Sequence, residues 1–302
     1  MRVQINRILC ATDFSDFSNQ TVVFGTALAR EFSATLLICH IVELPFAAMD
    51  GEIQFDPIEH QERMTAYAHK QLIRLIDPQG IDWSPLVAIG NAADEITRLV
   101  SQERVDLVIS ATHGKSGLKR LLLGSVTERL MRTLTCPLLI VRDQAASITT
   151  TPASAFQPKK ILVGCDFSSD STLAFQYGLS LAQEFEAELH LAHVVEPPVY
   201  QDILTATEIG KGDYRSGIMP QLRRKLAQMV PEEARNWCHP VSVLLEGKSD
   251  EEINRYAELN DIDLIVLGVR GHGLVESLLI GSTTDRVARQ APCPVMSVRP
   301  LV

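Results

Sequence analysis

Residues 7–45 align with residues 160–198 at a constant offset of 153, with 17 identities in 39 positions. The shared residues include Asp13/Asp166, Phe14/Phe167, Ser15/Ser168, Gly25/Gly178, His40/His193 and Glu43/Glu196. A second stretch, 106–142, aligns with 263–299 at an offset of 157 with 14 identities in 37, so the second copy carries four extra residues between 199 and 246. A period of this length is far above the roughly 20–50 residues of solenoid or propeller repeats and matches one compact domain duplicated and fused. The chain is therefore expected to hold two domains, 1–143 and 159–302, joined by a linker at 144–158. The stretch Asp143 to Pro158 reads DQAASITTTPASAFQP, poor in charge and rich in Ser, Thr, Ala and Pro.

The length of 302 residues suits two domains, each long enough to bury its own core. A net charge of −9 without any block of basic residues offers no electrostatic footprint for nucleic acid, so no nucleic-acid partner is expected. The N-terminal residues enter a strand almost at once without an apolar signal core, and no apolar run is long enough for a membrane span. This predicts a cytoplasmic protein with no membrane partner. Six cysteines at 10, 39, 136, 165, 238 and 293 form no Cys-x-x-Cys pair and read as buried, reduced thiols.

Each half alternates short apolar runs with amphipathic segments. The first half predicts strands near 7–12, 35–42, 83–88, 106–110 and 137–141, with helices near 17–32, 58–77, 92–103 and 125–134. The second predicts strands near 160–165, 188–195, 241–246, 263–268 and 294–298, with helices near 171–185, 215–230, 249–260 and 283–290. Runs such as Leu264-Ile-Val-Leu267, apolar at successive positions, suit strands covered by helices on both faces. The fold class is α/β: two tandem doubly wound domains, each a five-stranded parallel sheet flanked by helices. If strands one and four are neighbours at the point where the winding reverses, the loops after them converge. Asp13 would then lie beside 111–114 and Asp166 beside 268–271.

The candidate site is written in those loops. Gly268-Val-Arg-Gly271, nine residues, then Gly281-Ser282-Thr283 follows a strand and precedes a helix. Glycines there allow close backbone approach, and the hydroxyls and free N–H groups of the helix start suit anionic oxygens, so a nucleotide is the expected ligand. The first half repeats the spacing as Ala111-Thr-His-Gly114, nine residues, then Gly124-Ser125-Val126, with alanine in place of the first glycine. Whether a methyl is tolerated at 111 depends on why glycine is wanted: a positive φ or a tight contact excludes it, and an ordinary strand admits it.

Asp13 and Asp166 are open to two readings that do not exclude one another, as helix caps or as ligand contacts. His190 and His193, three apart on a strand, point to opposite faces and form no zinc motif; His40 and His193 read as strand-end histidines bonded locally. His113 and His272 fall in the glycine-rich loops and read as solvent or phosphate contacts. Gly114-Lys115-Ser116 lacks the upstream glycine of a P-loop, since Ile109 stands there, and no nucleophile elbow is present. The segment at about 197–214 reads as a tolerated insertion or as a loop over the second cleft.

These residues resemble the universal stress proteins, specifically the nucleotide-binding members with the pattern Gly-x2-Gly-x9-Gly-Ser/Thr. The resemblance covers both halves: the second matches the pattern fully, both keep Asp-Phe-Ser after strand one, and both end alike in CPLLIVR and CPVMSVR. It implies an adenine nucleotide alpha hydrolase-like fold that binds ATP, acts in the stress response and dimerises, commonly through the last strand. For a tandem chain this means an internal pseudo-dimer and a possible homodimer.

Carried over by position, the resemblance implies that Asp166 contacts the adenosine moiety, that Cys165 beside it is a nucleotide-binding position, that Val194 offers backbone to adenine, and that Gly268 and Gly271 line ribose and phosphates. Gly281, Ser282, Thr283 and Thr284 would hold the phosphates. The matching first-domain positions are Thr12, Asp13, Ile41, Ala111, Gly114, Gly124, Ser125, Val126 and Thr127. ATP, with Mg or Mn bridged by its own oxygens, would be ligand more than substrate, with slow or absent hydrolysis and no protein metal site. A slow nucleotide hydrolase and a scaffold binding another small ligand stay open as alternatives.

Overall fold

In the computed structural model of the chain, the described residues are 3–43, 57–76, 80–112, 123–142, 156–196, 211–271 and 280–300. They fall into two compact units, Gln4–Gln157 and Pro158–Pro300, Val3 being counted with the second. The first unit runs β1 (Arg7–Ala11), α1 (Asp16–Phe32), β2 (Thr35–Val42), α2 (Pro57–Arg74), β3 (Trp83–Ile89), α3 (Ala92–Glu103), β4 (Leu107–Ala111), α4 (Ser125–Thr133) and β5 (Leu138–Val141). The second runs β6 (Lys160–Gly164), α5 (Ser169–Phe185), β7 (Glu188–Val195), α6 (Lys211–Met229), β8 (Val241–Glu246), α7 (Ser249–Leu259), β9 (Leu264–Gly268), α8 (Ser282–Gln290) and β10 (Val295–Val298). A 3₁₀ turn at Glu232–Asn236, with no counterpart among the described residues of the first unit, lies in the region of the four extra residues. The helical turn is short and apolar-poor, so periodicity alone does not expose it.

Within each unit the five strands are parallel, ordered β3-β2-β1-β4-β5 and β8-β7-β6-β9-β10. β1 pairs with both β2 and β4, Cys10 lying opposite Ile109, and β6 pairs likewise with β7 and β9. The winding therefore reverses between strands one and four, which fulfils the condition on which the loops after them converge. The central strands are buried along most of their length: Ile8, Leu9, Val108 and Ile109 in the first unit, and Ile161, Leu162, Ile265 and Val266 in the second. Helices on both faces exclude water from them, so successive apolar residues replace the alternation of a one-sided sheet.

Glycine makes close helix–strand packing possible at matched positions. A Cβ at Gly25 would stand 2.2 Å from Cys10 Sγ, and one at Gly178 2.3 Å from Val163 Cγ2. All six cysteines are free thiols. Burial pushes the Cys39 and Cys136 thiols up to about 12, so neither is a nucleophile near neutral pH. Among the described residues no helix is long and apolar enough to cross a membrane. Residues 144–155 of the expected linker and 197–210 lie outside the described residues.

Candidate strand-end site

In both units the turn after the first strand is built from the Asp-Phe-Ser triplet. Ser15 and Ser168 are the N-caps of α1 and α5, accepting hydrogen bonds from Ser18 N and Ser171 N. The aspartates stand two residues earlier, and Oδ1 of Asp13 and of Asp166 accepts from Ser15 N and Ser168 N, each at 3.0 Å. The helix cap is thus serine, and the aspartate closes an Asx turn that aims its carboxyl group at the strand end. Between them Phe14 and Phe167 are both left-handed, with φ of 65°. For a bulky residue this costs about 1–3 kcal/mol, and each ring is held in compensation: Phe14 stacks on His40 at 4.2 Å between centroids, and Phe167 packs against His193 at 4.7 Å with the rings tilted by 44°.

The histidines are strand-end residues bonded locally. His40 Nδ1 lies 2.8 Å from the Thr12 carbonyl oxygen, and His193 Nδ1 2.7 Å from that of Cys165. Since a carbonyl only accepts, Nδ1 carries the hydrogen in both rings. Thr12 Oγ1 meets Ser18 Oγ, Asn19 Oδ1 and Phe14 N, so its hydroxyl is occupied inside the turn. Cys165 is buried, its Sγ 3.3 Å from Met229 Sδ, and burial raises its thiol pKa.

Above these turns strand two overhangs strand one. The last paired residues are Ala11 with Cys39 and Gly164 with Ala192, and Cys39 O and Ala192 O still accept from Thr12 N and Cys165 N. Backbone groups alternate sides along a strand. Two residues on, Ile41 and Val194 direct their N–H and C=O past the end of β1 and β6, while Val42 O and Val195 O face the other neighbour and accept from Gly90 N and Gly247 N. Each overhanging residue thus turns one donor and one acceptor to the side on which the first strand has ended.

The fourth-strand loop closes on the same point in the second unit. A Cβ added to Gly271 would lie 2.7 Å from Asp166 Oδ2, so glycine brings the loop backbone against the carboxylate. Gly268 answers a different need: its Cβ would meet Asp170 C at 2.7 Å and Asp170 Cβ at 2.8 Å, the start of α5. Neither glycine has a positive φ, so close approach is the reason for both. Gly281 N donates to Val269 O, and Gly124 N to Thr112 O in the first unit, folding the helix start back onto the strand end.

At α4 and α8 the N-caps Gly124 and Gly281 make no side-chain cap hydrogen bond, so the first-turn N–H groups point outward at the positive end of each helix dipole. Ser125 and Ser282 are exposed there, and Val126 and Thr283 half-buried. The next residues turn inward: Thr127 Oγ1 donates to Ala111 O and Thr284 Oγ1 to Gly268 O, and both side chains are buried. Of the four residues expected around the phosphates in each unit, Thr127 and Thr284 can offer only backbone. Ala111 ends β4 in ordinary strand conformation. Gly114, His113 and His272 lie outside the described residues.

Three neighbours of the second site carry no motif. Asp170 on α5 binds Arg270 of the loop, and Lys225 on α6 holds Nζ 4.1 Å over the Phe167 ring. A pairing across a hundred residues leaves no local pattern, so only comparison with Phe17 and His113 at the aligned positions marks Asp170 and Arg270 as special. Among the described residues no group of three or more His, Cys, Asp or Glu could hold a metal ion.

Two parallel, doubly wound α/β units with glycine-bearing loops after the fourth strands define the class, tandem α/β proteins with a switch point between strands one and four of each unit, where open α/β sheets in general bind ligands. The family model described as Universal stress protein family matches residues 4–142 and again 158–299, and the chain belongs to that family. It is 24% identical over 320 residues to Universal stress protein Slr1230 of Synechocystis, covering 98% of this chain and 100% of that one. To Universal stress protein MJ0531 of Methanocaldococcus jannaschii it is 30% identical over 138 residues, 45% of this chain and 81% of that protein. Among solved structures, a universal stress protein from Archaeoglobus fulgidus has the same fold, with a TM-score of 0.71 at 20% identity over 98% of this chain and 99% of that one.

Proposed function

We propose that this universal stress protein binds ATP at the strand-end cleft of one or both units and acts in the stress response as a binding and signalling protein, with slow or no hydrolysis. The observation that carries the reading is the meeting of Asp166 with Gly271, where a methyl would already crowd the carboxylate, beneath the uncapped start of α8. A carboxylate suits ribose hydroxyls, the outward donor and acceptor of Val194 suit an adenine edge, and the helix start with Ser282 and Thr283 suits phosphate oxygens. The first unit offers the same Asp turn, the overhanging Ile41 and the uncapped start of α4. Mg or Mn would arrive bridged by the triphosphate, which needs no protein carboxylate cage. The protein would work in the cytoplasm, as an internal pseudo-dimer or a homodimer.

Native mass spectrometry of the purified chain, with denaturing analysis of released ligand, tests this reading. Two ATP per chain support both sites, and one supports a single site. No nucleotide after excess Mg-ATP overturns the proposal in favour of a scaffold, and ADP accumulating on incubation turns it toward a hydrolase.

A further inference from the structure

The glycine-rich loop of the second unit is tied to α5 by an ion pair. The backbone N and the Nε of Arg270 both donate to Asp170 Oδ2 at 3.1 Å, and Nη2 reaches Oδ1 at 3.4 Å. The Asp170 side chain is 4% exposed and that of Arg270 19%, so water screens the pair little. Gly268 makes room for it, since a side chain there would collide with Asp170 itself. In the first unit all three positions change together, to Phe17, Ala111 and His113.

The first unit builds the same five-stranded sheet with the aligned Phe17 and Ala111, so the fold does not require this pair. A buried ion pair is also a poor source of stability, because desolvation offsets its attraction; its attested use is to select one arrangement. Here the arrangement selected is that of the loop: three hydrogen bonds fix Arg270, and the next residue is Gly271, held against Asp166.

We propose that Asp170 and Arg270 are positioning residues that hold the 268–271 loop in its ligand-ready form, giving the second unit a tighter nucleotide site than the first. This rests on the ATP-binding reading above. Arg270 acts through the loop backbone, and no contact between its side chain and nucleotide is required.

The test is hydrogen–deuterium exchange of the full chain titrated with Mg-ATP, reading peptides over residues 13–18 and 166–171 separately, for the wild type, Asp170→Asn and Arg270→Lys. Asparagine keeps the shape and an acceptor for Arg270 N; lysine keeps the charge and loses the guanidinium fork. In the wild type, 166–171 should be protected at lower ATP than 13–18. Each variant should raise the half-protection concentration of 166–171 about tenfold, roughly the effect of one charge-assisted contact, leave 13–18 unchanged, and speed exchange of 268–271 without ATP. Equal half-protection of the two units, or wild-type behaviour of 166–171 and 268–271 in both variants, overturns the positioning role alone. No protection of either unit at saturating ATP overturns the nucleotide reading and this inference with it. Should Asp170→Asn fail to fold, Arg270→Lys carries the same comparison.

Discussion

Asp166 and Gly271, more than a hundred residues apart, meet so closely that a methyl on the glycine would lie 2.7 Å from the carboxylate oxygen. Gly271→Ala should push the loop off Asp166 and weaken ATP binding in the second unit by about tenfold or more, consistent with overpacking costs of about 1–3 kcal/mol. Calorimetric titration reads this, and unchanged affinity would remove Gly271 from the site.

Gly268 and Ala111 make a matched pair of substitutions. Gly268→Ala places a methyl against the backbone of Asp170 and should destabilise the second unit by about 1–3 kcal/mol. Ala111→Gly removes a methyl from a strand end and should cost about 0.5–1 kcal/mol through backbone entropy, with no gain in nucleotide affinity. Denaturant unfolding of both variants decides it; equal effects would mean that the contact with Asp170 is relieved without cost.

Ser168 caps α5 through Ser171 N. Ser168→Ala should cost about 1 kcal/mol, as loss of an N-cap does, and Asp166→Ala should act mainly on ligand affinity, since its carboxyl group is not the cap. A melting-temperature loss for Asp166→Ala larger than that for Ser168→Ala would reverse these roles.

His190 is buried where the first unit has Leu37, and its Nδ1 lies 2.8 Å from the Tyr256 hydroxyl where the first unit has Leu99. Burial first lowers its pKa, opposed by Glu188 and assisted by Lys160. The folded second unit therefore favours the neutral ring. Its stability is full above the ordinary histidine pKa of 6.5 and falls as acidification protonates the unfolded chain first. The loss is at most about 1.4 kcal/mol per pH unit for one proton. Thermal unfolding between pH 7.5 and 5.5 should show the wild type losing more stability than His190→Leu/Tyr256→Leu, which copies the first unit; parallel curves would show that His190 is not the proton-linked group.

The duplication, the parallel α/β order and the two strand-end loops were legible in the chain itself, because repeated identity, apolar runs and glycine spacing are local patterns. The reason for each glycine was not. Gly268 serves Asp170, and Gly271 serves Asp166. Thr127 and Thr284 likewise stand among exposed-looking helix-start residues, yet their hydroxyls turn inward to Ala111 O and Gly268 O, since those carbonyls are left at the strand ends where the sheet stops.

The amino-acid sequence alone determined that two copies of one α/β domain would form and that glycine-bearing loops would follow their fourth strands, for burial periodicity and turn chemistry act over a few residues. Only the tertiary structure decided that β1 lies beside β4, that strand two overhangs strand one, and that Asp170 reaches Arg270. Those outcomes depend on parallel pairing between strands about a hundred residues apart, and the side chains meeting there share no pattern along the chain.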